Sequence, residues 1–165
     1  MSLRRPGFCF VGIAEDGSRD IRCFSVDNKK NTKKPHSEIL KNIYDTFVSD
    51  VKALGDVPKV FVREKAFNAR GSQAEIGIYK VVGIMDLCLN EIGGMQKEWI
   101  EFYPVTVKKK VTDSGTANKD QVRDAVNKLM PPYEYQNDDE SDAAAVALTY
   151  LLTNEQSEDT DHGNS

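Results

Sequence analysis

The chain has 165 residues, 39% of them hydrophobic, and a formal net charge of −4. That length suits one domain with a real core, and the charge excludes a uniformly basic nucleic-acid coat while leaving room for a local basic face. No signal-peptide pattern and no apolar run of bilayer length occurs, so the expectation is a soluble, cytoplasmic protein. Cys9, Cys23 and Cys88 are widely spaced and form no CxxC pair. They read as reduced core thiols rather than a zinc site or a disulfide framework. His36 and His162 sit in polar surroundings and read as surface residues.

In chain order, Phe8-Cys9-Phe10-Val11-Gly12-Ile13 predicts a strand. Asp16-Gly17 is a tight-turn signal, and Ile21-Arg22-Cys23-Phe24-Ser25-Val26 is the returning strand. The lysine-rich stretch 27–35 is a polar loop, solvated or in contact with phosphates. Ile39, Leu40, Ile43, Phe47, Val51 and Leu54 make the apolar stripe of a helix over 37–54, with Ser37 as its cap and Gly55 as its stop. Val60-Phe61-Val62-Arg63-Glu64 is a strand ending in a carboxylate, followed by a loop through Phe67. A second helix covers 72–89, with Ile76, Tyr79, Val82 and Ile84 toward its buried side and Gly77 and Gly83 reserved for close packing.

Glu98-Trp99-Ile100-Glu101-Phe102-Tyr103 alternates like a strand and is limited by Pro104. Residues 106–110 form a short helical turn carrying Lys108, Lys109 and Lys110. A helix then starts at Ala117 or Asn118, buries Val122, Ala125, Val126 and Leu129, and ends at Pro131-Pro132. The acidic cluster Asp138-Asp139-Glu140-Ser141-Asp142 runs into an alanine-rich helix, capped by Ser141 or Asp139. Asp139 and Asp142 are three apart and share a helical face. From the residues alone, that turn is either solvated or a pair of hard oxygen donors for a divalent cation. Residues 1–153 read as one domain, and 154–165, acidic and without apolar periodicity, as a disordered tail. Strands interleaved with helices imply an α/β sheet covered by helices, with its chemistry where Glu64 approaches Asp139 and Asp142.

Three blocks together resemble the RuvC family of Holliday-junction resolvases, within the ribonuclease H-like fold. The first is Val60-Phe61-Val62-Arg63-Glu64-Lys65-Ala66-Phe67. The second, and most specific, runs from Val107-Lys108-Lys109-Lys110 through Gly115 to Ala117-Asn118-Lys119-Asp120-Gln121-Val122. The third is Asp139-x-x-Asp142-Ala-x-Ala-x-Ala, written here with the intervening residues open. The resemblance implies a mixed central sheet flanked by helices and Mg²⁺-dependent (or Mn²⁺-dependent) cutting of four-way DNA junctions by a homodimer. It assigns Glu64, Asp139 and Asp142 as metal ligands and Lys108 and Lys119 as catalytic lysines. Phe67, Lys108, Lys109, Lys110 and Lys119 would contact DNA, Phe67 by stacking on an unpaired base or else as a loop anchor. The helix over 72–89 would supply the dimer interface.

The family's first strand, with its catalytic aspartate, has no counterpart here, and Asp16, in a hairpin turn, is no substitute. The expectation is therefore a start at an internal methionine and impaired cutting. Two alternatives stay open: a junction-binding or dimerising module that does not cut, and another ribonuclease H-like nuclease acting on RNA.

Overall fold

The computed structural model describes residues 3–28, 34–55, 57–65, 73–92 and 99–161. The elements are β1 (Gly7–Ile13), β2 (Arg19–Ser25), α1 (His36–Ala53), β3 (Phe61–Glu64), α2 (Gln73–Glu91), β4 (Trp99–Phe102), α3 (Pro104–Thr112), α4 (Lys119–Leu129) and α5 (Asp138–Asp161). Every strand and helix expected from the sequence is present. The strands form two pairs among the described residues, β1 with β2 and β3 with β4, in place of one continuous sheet.

The chain divides into two compact units, the first made of Met1–Pro6, Ser25–Phe61 and Lys65–Ile100. Its core is the contact of α1 with α2. α1 buries Ile39, Ile43, Phe47, Val48 and Val51, nearly the stripe read from the sequence, while Leu54 lies at the exposed helix end. Gly55 ends the helix at φ +85°, a left-handed conformation that suits glycine. Ser37 is not the cap: the helix begins at His36 behind Pro35, and no side chain caps it.

α2 departs further from expectation. It buries Val81, Met85, Cys88 and Leu89, and leaves Ile76 and Tyr79 exposed. The sequence of this helix is apolar on nearly every side, so periodicity alone cannot choose the phase. Gly77 does allow close packing, since a Cβ there would stand 3.4 Å from Leu3 Cβ, but Gly83 faces open space.

The second unit is Gly7–Phe24, Val62–Glu64 and Glu101–Ser165. Its β1–β2 hairpin closes through Ala14 N donating to Ser18 O at 2.9 Å, with Gly17 left-handed at φ +81°. That register sets Phe8 against Phe24, rings stacked at 5.0 Å, and Cys9 against Cys23, Sγ to Sγ 3.0 Å. On the other edge of β2, Tyr133 Oη accepts from Cys23 N at 3.1 Å and donates to Cys23 O at 2.7 Å.

α5 lies against β1 and packs with α3 and α4. Ala144, Ala145, Val146 and Leu148 of α5 share a core with Val107 and Val111 of α3 and Val122 and Val126 of α4. Leu129 is exposed and Met130 takes its expected place in the core. Ala144 and Ala145 are fully buried there, small enough to let α5 lie close to its neighbours. The helix continues to Asp161, past the point where the sequence suggests a disordered tail, because extending a formed helix costs far less than nucleating one.

Candidate active site at the start of the last helix

Asn137, not Ser141 or Asp139, caps α5. Its Oδ1 accepts from Asp139 N at 3.1 Å and Glu140 N at 3.3 Å. The Glu140 carboxylate accepts from Gln136 N at 2.9 Å and Asn137 Nδ2 at 3.2 Å. Ser141 instead donates its hydroxyl to Asp138 O at 3.0 Å. Glu140 is 2% exposed, so this acid of the first turn is structural. The pattern Asn-x-x-Glu at 137–140 is a legible capping box that the acidic cluster conceals.

The remaining carboxylates face basic groups. Lys119 Nζ stands 3.5 Å from Asp138 Oδ2 and 3.6 Å from Asp142 Oδ2. Arg123 reaches Asp138 at 3.8 Å. Lys119 opens α4, where Asn118 and Gln121 form a reciprocal capping box at 2.9 Å each way. The first turns of α4 and α5 are thereby both held rigidly. Asp138 and Arg123 were not singled out by the sequence, which offers no spacing signal linking two different helices.

Glu64 ends β3, which pairs with β4; Arg63 next to it bonds Glu101 at 2.8 Å. Burial pushes the Glu64 carboxyl above its ordinary range; the Asp142 carboxylate adds to this, and Lys108 and Lys119 oppose it. Burial likewise raises Asp142, with Lys119 opposing and Asp139 and Asp138 adding. Lys119 is raised in turn, chiefly by Asp142. Of the five expected residues, Glu64, Asp142, Lys108 and Lys119 lie close enough to interact electrostatically, and Asp139 acts on Asp142.

Asp139 is half-buried and adds to the field on Asp142. Among the described residues, no three His, Cys, Asp or Glu side chains are placed together to hold a metal ion. The half-buried Glu64 carboxylate with the more exposed Asp142 acting on it is nonetheless donor chemistry that a hard cation takes. Mg²⁺ is commonly held by one or two carboxylates, with water and substrate phosphate oxygens completing its shell. Lys109 is exposed and Lys110 half-buried on α3. Phe67 lies outside the described residues.

A family model for the crossover junction endodeoxyribonuclease RuvC matches residues 3–150. A protein of that name from Thermotoga maritima is 28% identical over 89% of this chain and 87% of its own length. One from Chloroherpeton thalassium is 30% identical over 86% of this chain and 73% of the relative. One from Rickettsia massiliae is 44% identical over a shorter stretch, 38% of this chain and 40% of the relative. Among solved structures, Thermus thermophilus RuvC in complex with Holliday junction substrate superposes with a TM-score of 0.79 at 18% identity, covering 94% of this chain and 92% of that one. A second structure of the Thermus protein gives 0.75 at 19% identity. At those identities the superpositions bear on the fold, and they agree with the ribonuclease H-like expectation.

Proposed function

The chain belongs to the crossover junction endodeoxyribonuclease RuvC family, and on that premise we propose that it resolves Holliday junctions by metal-assisted phosphodiester hydrolysis. The observation that carries this reading is the meeting of Glu64, Asp142, Lys108 and Lys119 in one cluster. Glu64 and Asp142 are the donors for a divalent cation, Mg²⁺ or Mn²⁺, and Asp139 lends its charge from the same turn. Such a cation supplies water activation and charge neutralisation at the leaving oxygen. Lys119 holds the Asp142 carboxylate in place and offers its remaining donors to a phosphate oxygen. Lys108 balances Glu64, while Lys109 and Lys110 extend the basic run along α3 toward the DNA backbone, where lysine acts as a point charge. Phe67 stacks on an unpaired base at the junction centre.

Four-way DNA is close to two-fold symmetric, and paired nicks call for a two-fold protein. The reading is a homodimer joined through α2, in the cytoplasm. It is supported by a stripe on α2 at helical spacing: Ile76, Tyr79 and Leu87, which are 42%, 46% and 51% exposed, with Gly83 between them. Among the described residues no helix is long and apolar enough to cross a membrane.

One observation favours a second reading, a junction-binding module that does not cut: Lys119 is shared by two carboxylates, and among the described residues no group of three acids is placed to hold a metal ion. The test is cleavage of a synthetic four-way junction, a linear duplex and a structured RNA with Mg²⁺ and with Mn²⁺. Symmetric nicks in the junction alone, lost in Asp142→Asn while binding persists, are expected. Tight junction binding without cutting under either metal supports the second reading, and preferential RNA cutting rejects both.

A further inference from the structure

Gly7 opens β1 with an ordinary strand conformation, so no turn requires a glycine there. What requires it is the neighbour. A Cβ on Gly7 would fall inside the carbonyl group of Asp139 and stand 2.9 Å from Glu140 N. Two backbones touch at this point, and neither can yield as a side-chain tip would. The other glycine of the strand is different: a Cβ on Gly12 would meet only Asp20 Cβ, at an ordinary 3.9 Å.

The peptide pressed against Gly7 joins Asp139 to Glu140, in the first turn of α5. The Asn137–Glu140 box fixes that turn from the other end. Asp142 leaves the helix less than a turn later and meets Lys119. A shift of the first turn therefore moves Asp139 and Asp142 together relative to α4 and its lysine.

We propose that Gly7 is a positioning residue: its bare backbone and the Asn137–Glu140 box form a seat that sets the depth of the first turn of α5, and with it the Asp139 and Asp142 carboxylates. The proposal rests on the cation site argued above. Its chemistry is geometric. Carboxylates displaced by about 1 Å bind a small cation poorly and misalign the reacting groups, a loss on the order of 100-fold in rate.

The test uses the full chain and three variants, Gly7→Ala, Gly12→Ala and Asn137→Ala. Thermal melting against MgCl₂ gives the midpoint of the metal-induced stabilisation without reference to cutting. Junction affinity is measured in EDTA, and cutting in Mg²⁺. For Gly7→Ala the Mg²⁺ midpoint should rise by about 10–100-fold and cutting should fall by about 100-fold. Its metal-free junction affinity should stay within about twofold, because phosphate contacts do not use the seat. Gly12→Ala should match wild type in all three. If Gly7→Ala does not fold, Asn137→Ala probes the same seat from the helix side and should raise the midpoint as well.

A Gly7→Ala or Asn137→Ala protein that melts lower in EDTA but keeps the wild-type Mg²⁺ midpoint overturns the proposal, since that is what a merely structural role gives. A wild type that responds to Mg²⁺ alongside an unaltered Gly7→Ala overturns the seat alone. A wild type silent to Mg²⁺ in both melting and cutting overturns the cation site, and the seat with it.

Discussion

Glu64 shows how function sets itself against stability at a single residue. Its carboxyl is raised by burial and by Asp142 beyond what Lys108 and Lys119 compensate. The folded chain then holds that proton more tightly than the unfolded chain does. Stability therefore falls as pH climbs through the window just above the ordinary value of 4.5. Glu64→Gln removes the loss: at pH 7 the variant should melt above wild type while losing the ability to cut. The gap should close near about pH 3, where the group is protonated in both states. A variant that melts lower at pH 7 would show that its ion pairs outweigh burial. Asp142→Asn is the less clean experiment, because it also takes away the main partner of Lys119.

The cysteines make a second point at this scale. Burial pushes Cys88 up to about 12. The contact of the Cys9 thiol with the Cys23 sulfur, then burial, raises Cys9 as well. Only the thiolate is nucleophilic, so iodoacetamide at pH 8 should leave Cys9 and Cys88 of the native protein almost untouched and label them rapidly in guanidinium. Rapid native labelling of Cys88 would contradict its burial.

Among the elements, both helices that bear the candidate site start on an asparagine cap. Asn118→Ala breaks the reciprocal box of α4, at a cost of about 1 kcal/mol, read as a Tm lower by about 2–4 °C. It should also loosen Lys119, the next residue, and so weaken cutting more than junction binding; equal losses in both would show a general effect. The same elements explain what was legible in the sequence. α4 was legible to within a residue or two at its start, from Asn118 and the apolar spacing, and at its end from Pro131, although Leu129 is exposed and Met130 is buried in its place. For α2 the existence was legible and the facing was not, since Ile76, Tyr79, Val81, Met85 and Leu87 offer several apolar stripes. In the candidate site, the expectation of Glu64, Asp139, Asp142, Lys108 and Lys119 came from local blocks that resemble a family. Asp138, Arg123 and Gly7 act only through approaches between elements distant in sequence, and no local spacing encodes those. The cap of α5 was misread for another reason: five polar residues at 138–142 all suit a helix start, and the true cap stands one residue before them.

For the whole molecule, a net charge of −4 has to coexist with affinity for a polyanion. The basic run of α3, Lys108 to Lys110, supplies local positive charge that the net charge hides. Junction affinity should therefore fall steeply with salt, and replacing Lys109, which is exposed, should flatten the log–log slope by about one. In the proposed dimer, two copies related by a two-fold axis would reach both strands of the junction, whereas a single copy would present one such face to one strand. The stripe on α2 is where the second copy is expected. Ile76, Tyr79 and Leu87 are large, apolar and exposed, and a Cβ on Gly83 between them would meet nothing, so a partner helix can come close. Leu87→Glu puts a charge into that contact and costs the fold little, since Leu87 is half exposed already. By light scattering at micromolar concentration, wild type should be a dimer and Leu87→Glu a monomer with the same far-UV spectrum. On a four-way junction the monomer should nick single strands and lose the paired, symmetric cuts. A Leu87→Glu protein that remains a dimer would move the interface off α2, and a monomeric wild type would remove the two-fold argument altogether.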